Sequence, residues 1–191
     1  MGHSQLEKQK THDRIVEIAS QRLREKGLEG IGVADLMKEA GLTVGGFYKH
    51  FASRDQLVAE AVQSAFGSWH RKLETRGIKP SDLSFAEIAS NYMGDDHRDD
   101  PATGCPFAAL TNDFARSGVE AREIATERLK HNFELFEGLV AGKDQKEKRR
   151  KAIVAFALMV GAVGLARVSS DDPVSSEILA TVQDFVTGLA D

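Results

Sequence analysis

The strongest constraint on this chain is the spacing of its apolar residues, which recur at helical intervals in one segment after another and almost never alternate. Ile15, Ile18, Ala19 and Leu23 share one helical face, and Val58, Val62, Ala65, Trp69 and Leu73 share another. Gly27, Gly41, Gly77 to Pro80, Ser117-Gly118, Gly142 and Asp172-Pro173 punctuate the segments. β-branched runs with a period of two are almost absent, so the pattern predicts an all-α fold of about nine helices.

Capping chemistry places the boundaries. Thr11 is the expected N-cap of a first helix that closes at Lys26-Gly27. A short helix from Val33 to Ala40 and another from Val44 to about His50 follow, and Ser53 then caps a long one. Ser81 is expected to cap the segment of Leu83, Phe85, Ile88, Ala89, Tyr92 and Met93, with an acidic loop from Gly94 to Gly104 behind it. Pro106 suits the first turn of the next helix. Ile124, Leu129, Phe133, Phe136, Leu139 and Val140 mark another, Ala152 to Val168 is apolar nearly all round, and Ile178, Val182, Phe185, Val186 and Leu189 mark the last. The expected division is an N-terminal arm and helix-turn-helix domain over 1–52 and a regulatory, dimerising domain over 53–191.

With 41% hydrophobic and 28% charged residues, the 191-residue chain has the composition of a globular protein with a substantial core. The most apolar run, Ile153 to Ala166, is short and rich in Ala and Gly, which predicts a buried helix and no membrane span. Met1 to Lys10 is polar and lacks the apolar stretch of a secretory signal, and Leu6 stands where a myristoylation motif needs Ser or Thr. One cysteine, Cys105, excludes an intrachain disulfide and fits a cytoplasmic location. The net charge of −4 excludes a uniformly basic coat: residues 1–60 hold nine Lys and Arg against nine Asp and Glu.

The segment from Val33 to Phe51 has the parts of a helix-turn-helix. Leu36 and Ala40 face inward, Gly41 sits where the chain must take a positive φ, Leu42 plugs the corner, and Thr43 can cap a second helix that packs through Phe47 and Phe51. The N-terminus of such a second helix enters the major groove of DNA.

Helix one, the Gly27 turn, Ala-Gly-Leu-Thr at 40 to 43, Gly46-Phe-Tyr-Lys-His-Phe51, Ser53-Arg54 and Leu57 together resemble the DNA-binding domain of the TetR (tetracycline-repressor) family of bacterial regulators, over about Thr11 to Ala65. The resemblance implies a homodimeric repressor on double-stranded, palindromic operator DNA. It implies that Tyr48, Lys49, His50 and Arg54 hold phosphates, with Thr43, Val44, Gly45 and Gly46 against base edges. Three features depart from the family pattern: Gly32 replaces a capping Thr, Met37 replaces a small Ala, and Gly45-Gly46 leaves few side chains to read bases. The two glycines cost about 1 kcal/mol each against Ala in a helix interior, which points to close backbone approach and DNA shape as the source of specificity. Lys8, Lys10 and Arg14 suit either flanking phosphates or a loose polar tail.

The family plan adds a small-molecule cavity and two dimerising helices. Trp69, His70, Phe85, Tyr92, Cys105, Phe107, Phe114 and Phe133 are the candidate walls of an apolar effector pocket, each equally suited to a core. Phe156, Val160, Gly164, Ile178, Val182 and Phe185 are the candidate dimer contacts in a four-helix bundle across a two-fold axis. Gly104-Cys105-Pro106 is similar to one branch of the family in which such a cysteine opens the sixth helix; a thiol there suits either a sensor of oxidants and electrophiles or a small buried residue. The run Asp95-Asp96-His97-Arg98-Asp99-Asp100 lacks the spacing of a calcium loop and suits a solvated loop better than a metal cage. No cofactor is expected. An enzyme built on Cys105 and His97 is the competing class, and the chain has no phosphate loop, nucleophile elbow or paired-carboxylate signature to support it.

Overall fold

The computed structural model describes residues 2–30 and 32–190, and among these the regular structure is helical throughout. α1 (Gly2–Lys26) is longer than its expected start at Thr11. No Gly or Pro interrupts residues 3–26, and polar side chains bridge its first turns: Gln9 donates to Asp13 over 2.7 Å and Lys10 to Glu7 over 3.3 Å. Thr11 is thus no cap; its hydroxyl donates back to the Glu7 carbonyl within the helix, over 2.9 Å. Gly27, at φ +81°, ends α1.

α2 (Val33–Glu39) leads into a six-residue 3₁₀ turn, Val44–Lys49, and then α3 (Arg54–Thr75). Ser53 caps α3 as expected, its Oγ accepting from the Gln56 amide at 3.1 Å. The cap of α4 (Phe85–Met93) is Ser84 and not Ser81, which lies in the short 3₁₀ turn Pro80–Asp82. Glu87 decides between the two serines, because only Ser84 has a glutamate three residues on to close a capping box. The expected acidic loop contains a one-turn helix, α5 (Asp95–Asp99), whose first two residues are acids that suit a helix start. α6 (Pro106–Arg116) begins on Cys105 with Pro106 in its first turn. α7 (Val119–Glu137), α8 (Gln145–Val168) and α9 (Asp172–Thr187) complete the chain. Asp144 and Asp171 cap α8 and α9, accepting from Glu147 and Val174 amides at 2.8 and 3.1 Å.

The helices form two compact units, residues 1–68 with 101–124 and residues 69–100 with 125–191. This compactness groups α6 and the first part of α3 with the N-terminal helices. In the first unit Ile15, Ala19 and Leu23 of α1 meet Leu36, Met37, Phe47, Phe51, Leu57, Val62 and Leu110 in a core where each is at most 2% exposed. Phe66 packs on Phe107 and Phe114, with centroids 5.0 and 5.8 Å apart. Buried Arg24 on α1 donates to the Ala65 and Ala102 carbonyls and to Ser68 Oγ, so its charge is met by oxygens of α3 and of the segment before α6. Asp113 of α6 accepts the Leu28 amide at 3.2 Å.

The second unit is built on α8 against α9 and α4. Phe136 meets Phe85 and Phe156 edge-on at 5.3 and 5.8 Å, and Ala152, Ala155, Ala162 and Ala166 let the helices approach closely. Arg167 of α8 donates to the carbonyls of His97 and Arg98, covering the C-terminal end of α5. α8 differs from the short, buried helix expected over Ile153 to Ala166 in its length and in its burial. It is 24 residues long and contains a window of mean hydropathy 1.9, so by length and composition it is apolar enough to cross a membrane, and only part of it is buried. Its buried face packs in the unit's core; its other face leaves Leu165 60% and Val168 83% exposed.

Candidate nucleic-acid interface

The turn between α2 and the 3₁₀ segment is a Schellman motif. Leu42 N–H donates to the Met37 carbonyl (2.8 Å) and Gly41 N–H to the Lys38 carbonyl (3.0 Å), with Gly41 at φ +71°. The backbone then extends through Thr43 before turning into Val44–Lys49. Two expectations fail here. The recognition segment is 3₁₀ and not α, and Thr43 makes no side-chain cap, its carbonyl instead accepting from Gly46 N–H at 2.9 Å. Gly45-Gly46 explains both, since two adjacent glycines weaken α propagation in a segment too short to recover it.

Phe47 and Phe51, each 1% exposed, pin the segment to the core. Met37 is fully buried, and a Cβ on Gly46 would lie 3.6 Å from its Cε. The bulky residue at one departure from the family pattern therefore faces the missing side chain at another. A Cβ on Gly45 would meet nothing, so packing does not require glycine there.

What the segment presents outward is Thr43, Val44 (51% exposed), Gly45, Tyr48 (76%) and Lys49. Gly46 and His50 are half-buried. Burial holds the His50 pKa below its ordinary value, helped by the nearby charges of His12, Lys8 and Lys49. Arg54 points elsewhere: its guanidinium donates to the Leu28 carbonyl over 2.8 Å and lies 3.7 Å from Glu29, bracing the loop between α1 and α2. Of the expected basic residues of α1, Lys8, Lys10 and Arg14 are all exposed, on an ordered helix and not a loose tail.

The eight candidate effector residues divide between the units. Cys105, Phe107 and Phe114 lie in the first, where Cys105 is half-buried at the α6 N-cap and the two rings pack on Phe66. Trp69, His70, Phe85, Tyr92 and Phe133 lie in the second. There Phe85 is a core ring on Phe136, and Phe133 sits against Phe156 with the Arg149 guanidinium 5.0 Å from its centroid. His97 packs on the Tyr92 ring at 4.4 Å and donates from Nδ1 to the Tyr92 carbonyl, while its burial lowers its pKa. Trp69 and His131 flank His70 at 5.0 and 6.2 Å, and Arg128 donates to His70 Nδ1 at 3.3 Å. Sequence reasoning missed Arg128 and Arg149, whose cationic groups meet rings from other helical turns. The acidic run is organised by Arg98, which reaches Asp95 at 3.1 Å and Asp99 at 2.6 Å.

Among the candidate dimer contacts, Phe156 is a core residue at 6% exposure, packed on Phe133 and Phe136 of the same chain. Val160, Gly164, Ile178 and Val182 are half-buried, and Phe185 is 59% exposed. Leu165 and Val168, absent from that set, are the largest exposed apolar surface of α8.

Residues 15–61 match the family of bacterial regulatory proteins described as tetR family. A stretch of 90 residues is 30% identical to the HTH-type transcriptional repressor KstR2 of Mycolicibacterium smegmatis, covering 45% of this chain and 43% of that protein. The chain thus matches less than half the length of that relative. The fold is similar over nearly the whole chain to a TetR family regulator from Cytophaga hutchinsonii (TM-score 0.78, 20% identity, 96% of each chain covered). It is also similar to one from Chloroflexus aurantiacus (TM-score 0.77, 22% identity, 95% and 96% covered) and to reduced NemR of Escherichia coli (0.74, 18%, 94% and 96%). The fold is that of TetR regulators, with an N-terminal helix-turn-helix domain and a C-terminal helical domain.

Proposed function

We propose that this chain, whose DNA-binding module and fold are those of TetR family regulators, is a cytoplasmic transcriptional repressor that binds a palindromic operator as a homodimer. The observation that carries this is the presentation of Val44, Tyr48 and Lys49 on the 3₁₀ turn that follows the Schellman motif and is anchored by Phe47 and Phe51, within the matched segment 15–61. Tyr48 and Lys49 hold phosphates; Thr43 and Val44 approach base edges, with the Gly45-Gly46 backbone close to the duplex. Arg54 acts by holding the loop that supports this surface.

Dimerisation is assigned to the exposed apolar faces of α8 and α9, carried by Val154, Leu165, Val168 and Phe185, with Val160, Gly164, Ile178 and Val182 at their margins. Release comes from an apolar effector bound in the C-terminal part, near Tyr92, Trp69, His70 and Phe133, or from modification of Cys105. Arg24 and Asp113 support the second route, because they tie the segment around α6, which opens on Cys105, to α1, α3 and the Leu28 turn by hydrogen bonds.

Fluorescence anisotropy with a labelled duplex from the upstream region of the chain's own gene tests the proposal. We expect salt-sensitive, sequence-specific binding that Tyr48→Ala and Lys49→Ala each weaken about tenfold without loss of helicity. Peroxide or an electrophile releases wild-type protein but not Cys105→Ser if the thiol is the sensor. Equal affinity for every duplex, or none, overturns the repressor assignment.

A further inference from the structure

α7 carries Arg128 and His131 three residues apart, which puts them on one face of the helix. From the last turns of α3, within the same compact unit, Trp69 and His70 meet them. The Arg128 guanidinium donates to His70 Nδ1 over 3.3 Å, and the His131 ring lies 6.2 Å from the His70 ring. Trp69 stands edge-on to His70, with centroids 5.0 Å apart. A guanidinium can only donate, so His70 accepts at Nδ1 and carries its hydrogen on Nε2. Trp69, His70 and Arg128 are half-buried while His131 is exposed, so the cluster opens to solvent on one side. Of the acids on these two helices, Glu127 is bonded to Lys130 at 2.6 Å, and Glu74, whose charge acts on His70, is exposed.

We propose that Arg128, His70 and His131 form a subsite for the carboxylate of an amphipathic organic acid whose apolar body lies against Trp69. The subsite rests on the reading that an effector binds near Trp69 and His70, and it names the chemical class of that effector. A planar guanidinium fork fits a carboxylate through two parallel bonds, and an imidazole nitrogen offers it only one. The Arg128–His70 bond, at 3.3 Å, is also longer than the roughly 2.7–2.9 Å of a bond to an ionised oxygen. A carboxylate is therefore the stronger acceptor for this donor, and the imidazole N–H groups of His70 and His131 remain to bind its second oxygen. Burial, with the charges of Arg128 and His131, holds the His70 pKa below its ordinary value, so the permanent charge here is that of Arg128. One positive charge balances a monoanionic carboxylate and falls short of a phosphate dianion. Half-burial strengthens the pair relative to one fully in water. The indole of Trp69 beside it supplies the apolar surface, so charge and hydrocarbon are recognised side by side.

Trp69 is the single tryptophan of the chain, so its fluorescence reports on this place alone. The test is titration of the full-length protein with octanoate and dodecanoate, with octanol and dodecanol as uncharged counterparts, and with inorganic phosphate. The carboxylates should change the Trp69 signal saturably and bind at least about tenfold more tightly than the alcohols. Arg128→Gln should remove that preference by weakening the carboxylates alone, and Arg128→Lys should restore part of it. His131→Gln, a change at an exposed position that leaves the fold intact, should weaken the carboxylates severalfold. Alcohols that bind as tightly as the acids, or carboxylate affinities unchanged in both Arg128→Gln and His131→Gln, overturn the subsite. Phosphate that displaces octanoate at equal concentration overturns the carboxylate assignment. Operator affinity measured in the same samples separates the two readings. Saturating octanoate that leaves operator binding unchanged overturns the effector reading and keeps the subsite, whereas release by the alcohols alone keeps the effector reading and overturns the subsite.

Discussion

The helix-turn region and the α8–α9 pair treat apolar surface in opposite ways. In the helix-turn region Leu36, Met37, Phe47 and Phe51 are at most 2% exposed, and what faces outward is Thr43, Val44, glycine backbone, a lysine and the amphipathic ring of Tyr48. On α8 and α9, Leu165, Val168 and Phe185 are 59% or more exposed, with Val154 and Val174 adding to the same surface. The first region buries its core within one chain and, Val44 apart, presents polar and backbone groups. The second is incomplete until something apolar covers it, and a second copy of the same surface satisfies that requirement. The difference predicts that identical chemistry in the two regions, removal of an aromatic ring, has different consequences.

The largest effect should come from Phe47→Ala. Deleting a ring at 1% exposure from a close-packed core costs about 3–5 kcal/mol, enough to unfold the N-terminal unit or lower its melting temperature sharply, as read by circular dichroism. Leu165→Glu with Phe185→Glu should act on assembly instead, because both side chains already meet solvent in the single chain. Sedimentation velocity should show monomer, helicity should persist, and operator affinity should fall about a hundredfold as two half-sites cease to be held together. A folded dimer in that variant would break the contrast and move the interface elsewhere.

How much of this was legible beforehand depended on whether one residue carried the signal. Gly41 announced its positive φ and Pro106 its place in a first turn, because each is dictated by that residue's own backbone chemistry. The buried Phe47 and Phe51 followed from helical spacing, which a 3₁₀ segment only slightly distorts. The start of α1 was not legible. Thr11 is a good cap by type, and nothing in a polar, Gly-free stretch says that the helix has already begun. The effector residues were the least legible: Phe107 and Phe85 look alike in sequence and lie in different units, and the Arg128 and Arg149 contacts depend on tertiary packing that spacing does not encode. Exposure on α8 was misjudged for a related reason. An all-round apolar helix reads as buried, yet only part of α8 is buried within this chain.

The smallest expected effect is also the most discriminating within the DNA-binding region. A Cβ at Gly45 would meet nothing in the protein, and the backbone there has no positive φ, so Gly45→Ala should raise stability by about 0.5–1 kcal/mol by removing unfolded-state freedom. If the glycine pair serves close approach of the backbone to DNA, the same methyl should weaken operator binding, so stability and affinity change in opposite directions. Thermal melts and anisotropy titrations on the one variant decide it. Gains in both would mean that Gly45 has no role at the duplex and that the region reads DNA through Thr43, Val44, Tyr48 and Lys49 alone. An affinity loss beside a stability gain would mean that the double glycine, which weakens the helix and turns it to 3₁₀, is itself part of the recognition surface.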